Sequence, residues 1–178
     1  MNAMRRHVLA VLAGTALLLV AVCCPLRAGQ PAGTQVHVSY AHPEHFSESR
    51  RYRPQDRFND VDYLGPLKTY LIGRATPMLA PGQQLDITVT DIQLAGGYEP
   101  WRRGAMDRVR IMSNLYPPRI DLHFRWIGSD GKVLREGSRK LTNLGYLDSG
   151  AATLDDTDPL RYDKALLASW LRRGLDKL

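Results

Sequence analysis

Residues 118–141 read PRIDLHFRWIGSDGKVLREGSRKL. Ile120, Leu122, Phe124 and Trp126 alternate with Arg119, Asp121, His123 and Arg125. That is the period of a strand with one face toward a core and one toward water. Ser129-Asp130-Gly131 supplies turn chemistry, and Lys132 to Leu141 returns as the paired strand with a weaker alternation. A hairpin with one apolar face must be covered by other elements, so the rest of the chain has to provide them.

Working outward toward the N-terminus, Gln84 to Leu94 is a second strand. Leu85, Ile87 and Val89 share one side, and Asp86, Thr88 and Thr90 share the other. Ile92 and Leu94 then have the opposite parity. One extra residue near Thr90-Asp91 restores a single apolar face, which predicts a β-bulge there. Between the two strands, residues 95–117 are long and irregular, and only Val109 and Ile111 alternate, enough for a short strand. Gly96-Gly97 suits a sharp turn after the bulge.

Further out, Val36, Val38 and Tyr40 alternate in a strand that ends near Pro43. Residues 47–59 (SESRRYRPQDRFN) are polar and basic without a period and read as a surface loop. From about Asp60 to Ala80 a helical stripe runs through Val61, Leu64, Leu67, Leu71, Ala75 and Met78, with Asp60 or Asp62 as cap and Pro66 near the first turn. Residues 148–157 form a small acidic loop. Asp158-Pro159 then starts a second helix with a stripe of Leu160, Leu167, Trp170, Leu171 and Leu178, and Arg172 and Arg173 in its closing turns. The order, with no internal repeats, predicts an α+β fold: a four- or five-stranded, mostly antiparallel sheet with two helices packed on one face.

The chain has 178 residues, 44% hydrophobic and 24% charged, with a net charge of +6. Neither disorder nor a multi-span membrane protein fits this composition. Residues 1–28 read as a secretory signal peptide: Arg5 and Arg6, an uncharged apolar run from Val8 to Cys24, then Pro25 and a cleavage point after Ala28. Residues 29–178 are then a single α+β domain without cysteine or transmembrane segment. Losing residues 1–28 removes three arginines and no acid, leaving 21 basic against 18 acidic residues, a net +3. The expected location is the periplasm. The alternative is a membrane anchor, through an uncleaved signal or a lipidated Cys23, since Val20-Ala21-Val22-Cys23 is similar to a lipobox in which Val22 is bulkier than the usual residue. Export argues against nucleic acid as a ligand and toward envelope anions.

Several strings occur together and in order: Val36 to Tyr40 followed by His42-Pro43-Glu44-His45-Phe46; Ile87 to Ile92 with Leu94-Ala95-Gly96; Glu99-Pro100-Trp101; Leu115-Tyr116-Pro117-Pro118-Arg119-Ile120; Asp130 to Leu134; and Asp158 to Tyr162. In these the chain resembles a proteobacterial family of exported proteins known as domain of unknown function 3016. The resemblance covers nearly the whole chain after residue 28. It implies export and fold and no activity. One position departs: the family usually has Asp-Pro-Glu where this chain has His42-Pro43-Glu44.

The chemistry the residues carry is sparse. His37, His42 and His45 match no standard ligand spacing and read as solvated strand-end histidines, so no metal site is expected. There is no nucleophile elbow, phosphate loop or dinucleotide fingerprint, and no cofactor is expected. Asp91, at the bulge, needs a partner, a backbone amide or an arginine such as Arg119.

Functional colour lies in 98–119, where Tyr98, Trp101 and Tyr116 accompany Arg102, Arg103, Arg108, Arg110 and Arg119. Aromatic faces with guanidinium groups suit an anionic glycan, a lipid headgroup or an envelope protein. The competing reading has the aromatics fold back over the open end of the sheet. The function expected is a non-enzymatic, exported binding or envelope-associated adaptor module contacting its partner through Tyr98, Trp101, Arg102, Arg103, Arg110 and Tyr116. The alternative is a periplasmic hydrolase using Glu99 or Asp107.

Overall fold

In a computed structural model, which describes residues 35–51, 62–99, 101, 109–148 and 157–178, the hairpin forms two adjacent strands, one of them an edge, of a four-stranded sheet. Strands β3 (Arg119–Ile127) and β4 (Val133–Thr142) pair antiparallel from Arg119↔Thr142 to Trp126↔Arg135. The turn closes through Gly131 N–H to Gly128 O at 2.9 Å and Gly128 N–H to Lys132 O at 2.8 Å. Strand β2 (Gln84–Gln93) lies antiparallel on the other side of β3, and β1 (Gln35–Tyr40) pairs parallel with β2. A parallel pair needs a crossover, and the first main helix lies in it.

The bulge falls where the phase of the sequence slips. Val89 pairs with Leu122 and Asp91 with Asp121, so Thr90 is the extra residue. Leu85, Ile87 and Val89 before it and Ile92 after it are therefore all buried on one face. Of the expected fifth strand, 109–111 retains a single bridge, Gly97↔Ile111. It fails to extend because Val109 is exposed and leaves that short alternation with nothing to cover. Four strands is the correct number among the described residues.

Helix α2 (Leu64–Ala75) is shorter than the periodic stripe that predicts it. Asp62 caps it, with Oδ1 accepting from the N–H groups of Leu64 and Gly65 at 3.1 Å each. Leu67, Leu71 and Ala75 face the sheet, and the chain tightens into a 3-10 turn at Thr76–Met78, where Pro77 cannot continue the ladder. Tyr40 donates to Leu64 O at 2.6 Å and pins the start of α2 to β1. Helix α3 (Arg161–Leu171) buries Leu166, Leu167, Trp170 and Leu171 in the same cluster. Leu178 is buried as expected, although not on the helix: the chain turns at Gly174 into a 3-10 turn, Leu175–Lys177, that brings it back. Both helices thus cover one face of the sheet, and their residues and those of the strands form one core.

The weak alternation of β4 has a physical cause. Its core-facing positions, opposite Leu122 and Trp126, are Arg139 and Arg135. Arg139 lies over the Phe124 ring at 5.2 Å and donates to Leu178 O; Arg135 donates to Leu178 O at 3.0 Å and to Asp176 O at 2.6 Å. The apolar stems of these arginines cover the core while their heads satisfy backbone carbonyls.

One segment corrects the sequence reading. Ser47–Arg51, expected within a surface loop, is a short helix, α1. Phe46 anchors it, buried edge-on against Tyr40. Asp91 holds its first residue, with Oδ1 accepting from Ser47 N–H at 2.5 Å and Oδ2 from the Ser47 hydroxyl at 2.6 Å. The partner Asp91 needs is therefore a backbone amide and a hydroxyl. Residues 52–59, the rest of that expected loop, lie outside the described residues, as do Asp60 and Val61 of the expected first helix and 149–156.

Asp158 acts one turn earlier than a cap at the helix proper. It accepts from Leu160 N–H at 2.9 Å and pairs with Lys164 Nζ at 2.5 Å, closing the turn that leads into α3. Asp158→Ala is expected to cost about 0.5–2 kcal/mol, read as a lower denaturant midpoint at constant slope.

Candidate functional site

Gln93, Arg119 and Thr142 lie in line across β2, β3 and β4. Three segments leave the sheet at that end: 94–101 after β2, 109–118 before β3, and 143–148 after β4. The bulge aims the first of them. Gly96 follows with φ 81°, a conformation L side chains rarely adopt, and donates its N–H to Tyr116 O at 2.9 Å. Gly97 pairs with Ile111 through bonds of 3.0 and 2.8 Å. The Tyr116 ring lies flat on Gly97, where a Cβ would stand 2.8 Å from the ring. Gly96 thus serves the turn that the sequence suggests, and Gly97 adds a close approach that the sequence did not indicate.

The third segment joins through Tyr146. Its hydroxyl donates to Ser113 O and accepts from Ser113 N–H, both at 3.0 Å. Its ring meets Tyr162 of α3 edge-on at 4.8 Å. Tyr146, Tyr162 and Ala95 form a second small apolar cluster beneath this end of the sheet.

Beside that cluster lies a buried set of ionisable groups. Glu48 of α1 is 2% exposed, and Asp163 of α3 is 1% exposed. Glu48 Oε2 accepts from Leu94 N–H at 2.9 Å, and Asp163 Oδ1 accepts from Ala95 N–H at 3.0 Å. Arg110 donates through Nη2 to Glu48 Oε1, and through Nη1 to Ala95 O at 3.0 Å and Gly96 O at 3.3 Å. The guanidinium also lies over the Tyr98 ring at 5.0 Å. A buried carboxylate needs a cation and hydrogen bonds, and Glu48 has both.

Of the residues that the sequence marks for recognition, Tyr98, Arg110 and Tyr116 come together in this way. They brace the turn: Arg110 faces inward to Glu48, and the Tyr116 hydroxyl donates to Glu99 Oε1 at 3.1 Å. Trp101 does not join them and is 69% exposed. Arg102, Arg103, Asp107 and Arg108 lie outside the described residues. Within 98–119, Tyr98 and Tyr116 are thus packed at the loop end, and Trp101 is exposed. Val109, Leu115, Leu144 and Leu147 are also exposed at this end, Leu115 by 78%.

Sequence reasoning missed Glu48 and Asp163 as site residues. Asp163 did carry a signal, because its position falls on the apolar side of α3 between Leu160 and Leu167, where a carboxylate must find a partner. Glu48 carried none, since a five-residue helix shows no period. Glu99, the described one of the two candidate acids, is buried with its carboxylate on Tyr116.

Elsewhere, Glu44 Oε1 stands 3.4 Å from His42 Nδ1 and 3.8 Å from His45 Nε2, all three side chains exposed. Among the described residues no three His, Cys, Asp or Glu side chains form a set able to hold a metal ion. On the open face of the sheet His123 lies between Ser138 Oγ at 3.3 Å and Glu136 Oε1 at 3.1 Å. This has the connectivity of a serine-histidine-acid relay. The N–H groups of a sheet lie in its plane, however, and none points at an oxyanion above that face.

A one-sided α+β sheet with a braced loop cluster at one end is the class that fold and site define. The chain belongs to the family described as protein of unknown function (DUF3016), whose profile matches residues 34–173. Neither a curated protein nor a solved structure matches it.

Proposed function

We propose that this is an exported, non-enzymatic binding module of the bacterial envelope, with its recognition surface at the loop end of the sheet. The observation that carries the reading is Trp101. A large amphipathic ring, 69% exposed, lies four residues beyond the 94–97 segment, which buried contacts from three elements pin. Rigid aromatic side chains at the centre of an interface gain most from being covered, and a braced base reduces the ordering cost of binding. The apolar side chains Val109, Leu115, Leu144 and Leu147 extend the surface, and Arg102 and Arg103 follow Trp101 in sequence. A partner with apolar and anionic parts fits this chemistry: an envelope protein, a lipid or an anionic glycan. Residues 1–28 support export, and no helix among the described residues is long and apolar enough to cross a membrane.

In this reading Tyr98, Arg110 and Tyr116 support the surface from below, and Trp101 makes the contact with Arg102 and Arg103. The test is partner capture by Trp101→Ala/Arg102→Ala/Arg103→Ala compared with the wild type. Co-sedimentation with vesicles rich in phosphatidylglycerol and pull-down from envelope extract separate lipid from other partners. Capture is expected to be lost in the triple variant.

A further inference from the structure

Residues 94–97 are buried, and polar links from three separate elements hold them. Glu48 of α1 takes the Leu94 amide, Asp163 of α3 takes the Ala95 amide, and Arg110 takes the carbonyls of Ala95 and Gly96. Two carboxylates and one guanidinium therefore share one buried space. With both carboxylates ionised, the set carries a net negative charge away from water; with one protonated, it is neutral.

The geometry decides which carboxylate takes the proton. Glu48 receives a donor on each oxygen, the Leu94 amide and the Arg110 guanidinium. Asp163 receives the Ala95 amide on Oδ1, and its buried Oδ2 has no hydrogen-bond partner among the described residues. The ionised form of Asp163 is the poorly solvated one, and a neutral carboxyl suits the place better.

We infer that Asp163 is a proton-operated latch on residues 94–97, closed while its carboxyl is neutral and released as it ionises. The groups facing it are Arg110 from the 109–118 segment, Glu48 from α1, the Tyr146 hydroxyl from the 143–148 segment, and Tyr162 and the Ala95 amide beside it. Arg110 and Glu48 compensate each other, and burial pushes the Tyr146 hydroxyl up, so it stays neutral. Burial is also the main force on Asp163 and pushes it up to about 7, with Glu48 adding to the rise and the Ala95 amide and Arg110 opposing it. A carboxyl raised in the folded state stabilises fully below its unfolded value of 3.8, and that contribution is lost as pH rises through about 7. The latch is therefore closed in acid, weakens as pH rises from 3.8 toward about 7, and is weakest above that.

The latch is a property of this chain alone and does not depend on the binding reading, although Trp101 lies a few residues beyond the segment it holds. The test is hydrogen exchange of the Ala95, Gly96 and Gly97 amides in the full chain, corrected for the intrinsic rate. Protection in the wild type is expected to fall about ten-fold or more from about pH 5.5 to about pH 8.5, and by less than about two-fold in Asp163→Asn, which keeps the Oδ1 acceptor without the charge. The same pH dependence in both proteins overturns the latch. A carbon-detected titration of the wild-type Asp163 carboxyl decides the matter even if the variant does not fold: a midpoint near 7 supports the latch, and one near the ordinary aspartate value contradicts it.

Discussion

Arg110→Ala is expected to destabilise the protein by about 3–5 kcal/mol, which is among the largest effects a single residue outside the apolar core can have here. The loss is not that of an exposed ion pair, worth about 0–1 kcal/mol. Glu48 is buried, and without Arg110 its charge has no cation beside it. The carbonyls of Ala95 and Gly96 lose the same donor. Removing the pair together should be much milder. In Glu48→Gln/Arg110→Met the glutamine still accepts from the Leu94 amide, and no unpaired charge is left behind. Urea melts of the two single variants and the double variant give the coupling. If Arg110→Ala costs no more than a surface substitution, the guanidinium faces water and the bracing of the loop end is wrong.

The second large effect separates two tryptophans that composition alone cannot tell apart. Trp170 is 1% exposed and tilts at 60° against Phe124, ring centres 6.0 Å apart, where α3 crosses the sheet. Trp170→Ala should cost about 3–5 kcal/mol through lost burial and the cavity left behind. Trp170→Phe should cost less, because the indole Nε1 has no partner among the described residues and no hydrogen bond is given up. Trp101→Ala should stay within about 0.5 kcal/mol of the wild type, since the ring is exposed and leaves no cavity. Denaturant midpoints at equal slope check all three. A large loss from Trp101→Ala would place that ring in the core and remove it from the recognition surface.

How much of this was legible in the sequence differs by element for physical reasons. Strands are legible where one face is wet and the other dry. That is why β3 and the hairpin turn stood out, and why one misplaced parity in β2 placed a bulge near Thr90-Asp91, which the register puts at Thr90. β4 blurred the same rule because arginine stems replace aliphatic side chains on its inner face. α1 was illegible, being too short for a period and built on a contact with Asp91, 44 positions away. The loop end was half legible. Its aromatics and arginines marked it for recognition or for folding back over the sheet, but which of them turn inward depends on Glu48, 62 positions from Arg110. No local pattern in the sequence announces a pairing at that distance.

The parallel placement of β1 shows the same limit. Its alternation made it a strand, while its direction beside β2 follows from the crossover through α2. Tyr40 records that arrangement in one bond, from the end of β1 to the first residue of α2.

The most direct measurement of the binding account compares wild-type protein with Trp101→Ala/Arg102→Ala/Arg103→Ala on the same envelope extract and the same anionic vesicles, with a thermal melt of each. The account predicts an unchanged melting midpoint together with loss of capture, because these side chains make the contact and Glu48, Arg110 and Tyr116 keep the base in place. Undiminished capture by a triple variant that melts like the wild type would contradict it.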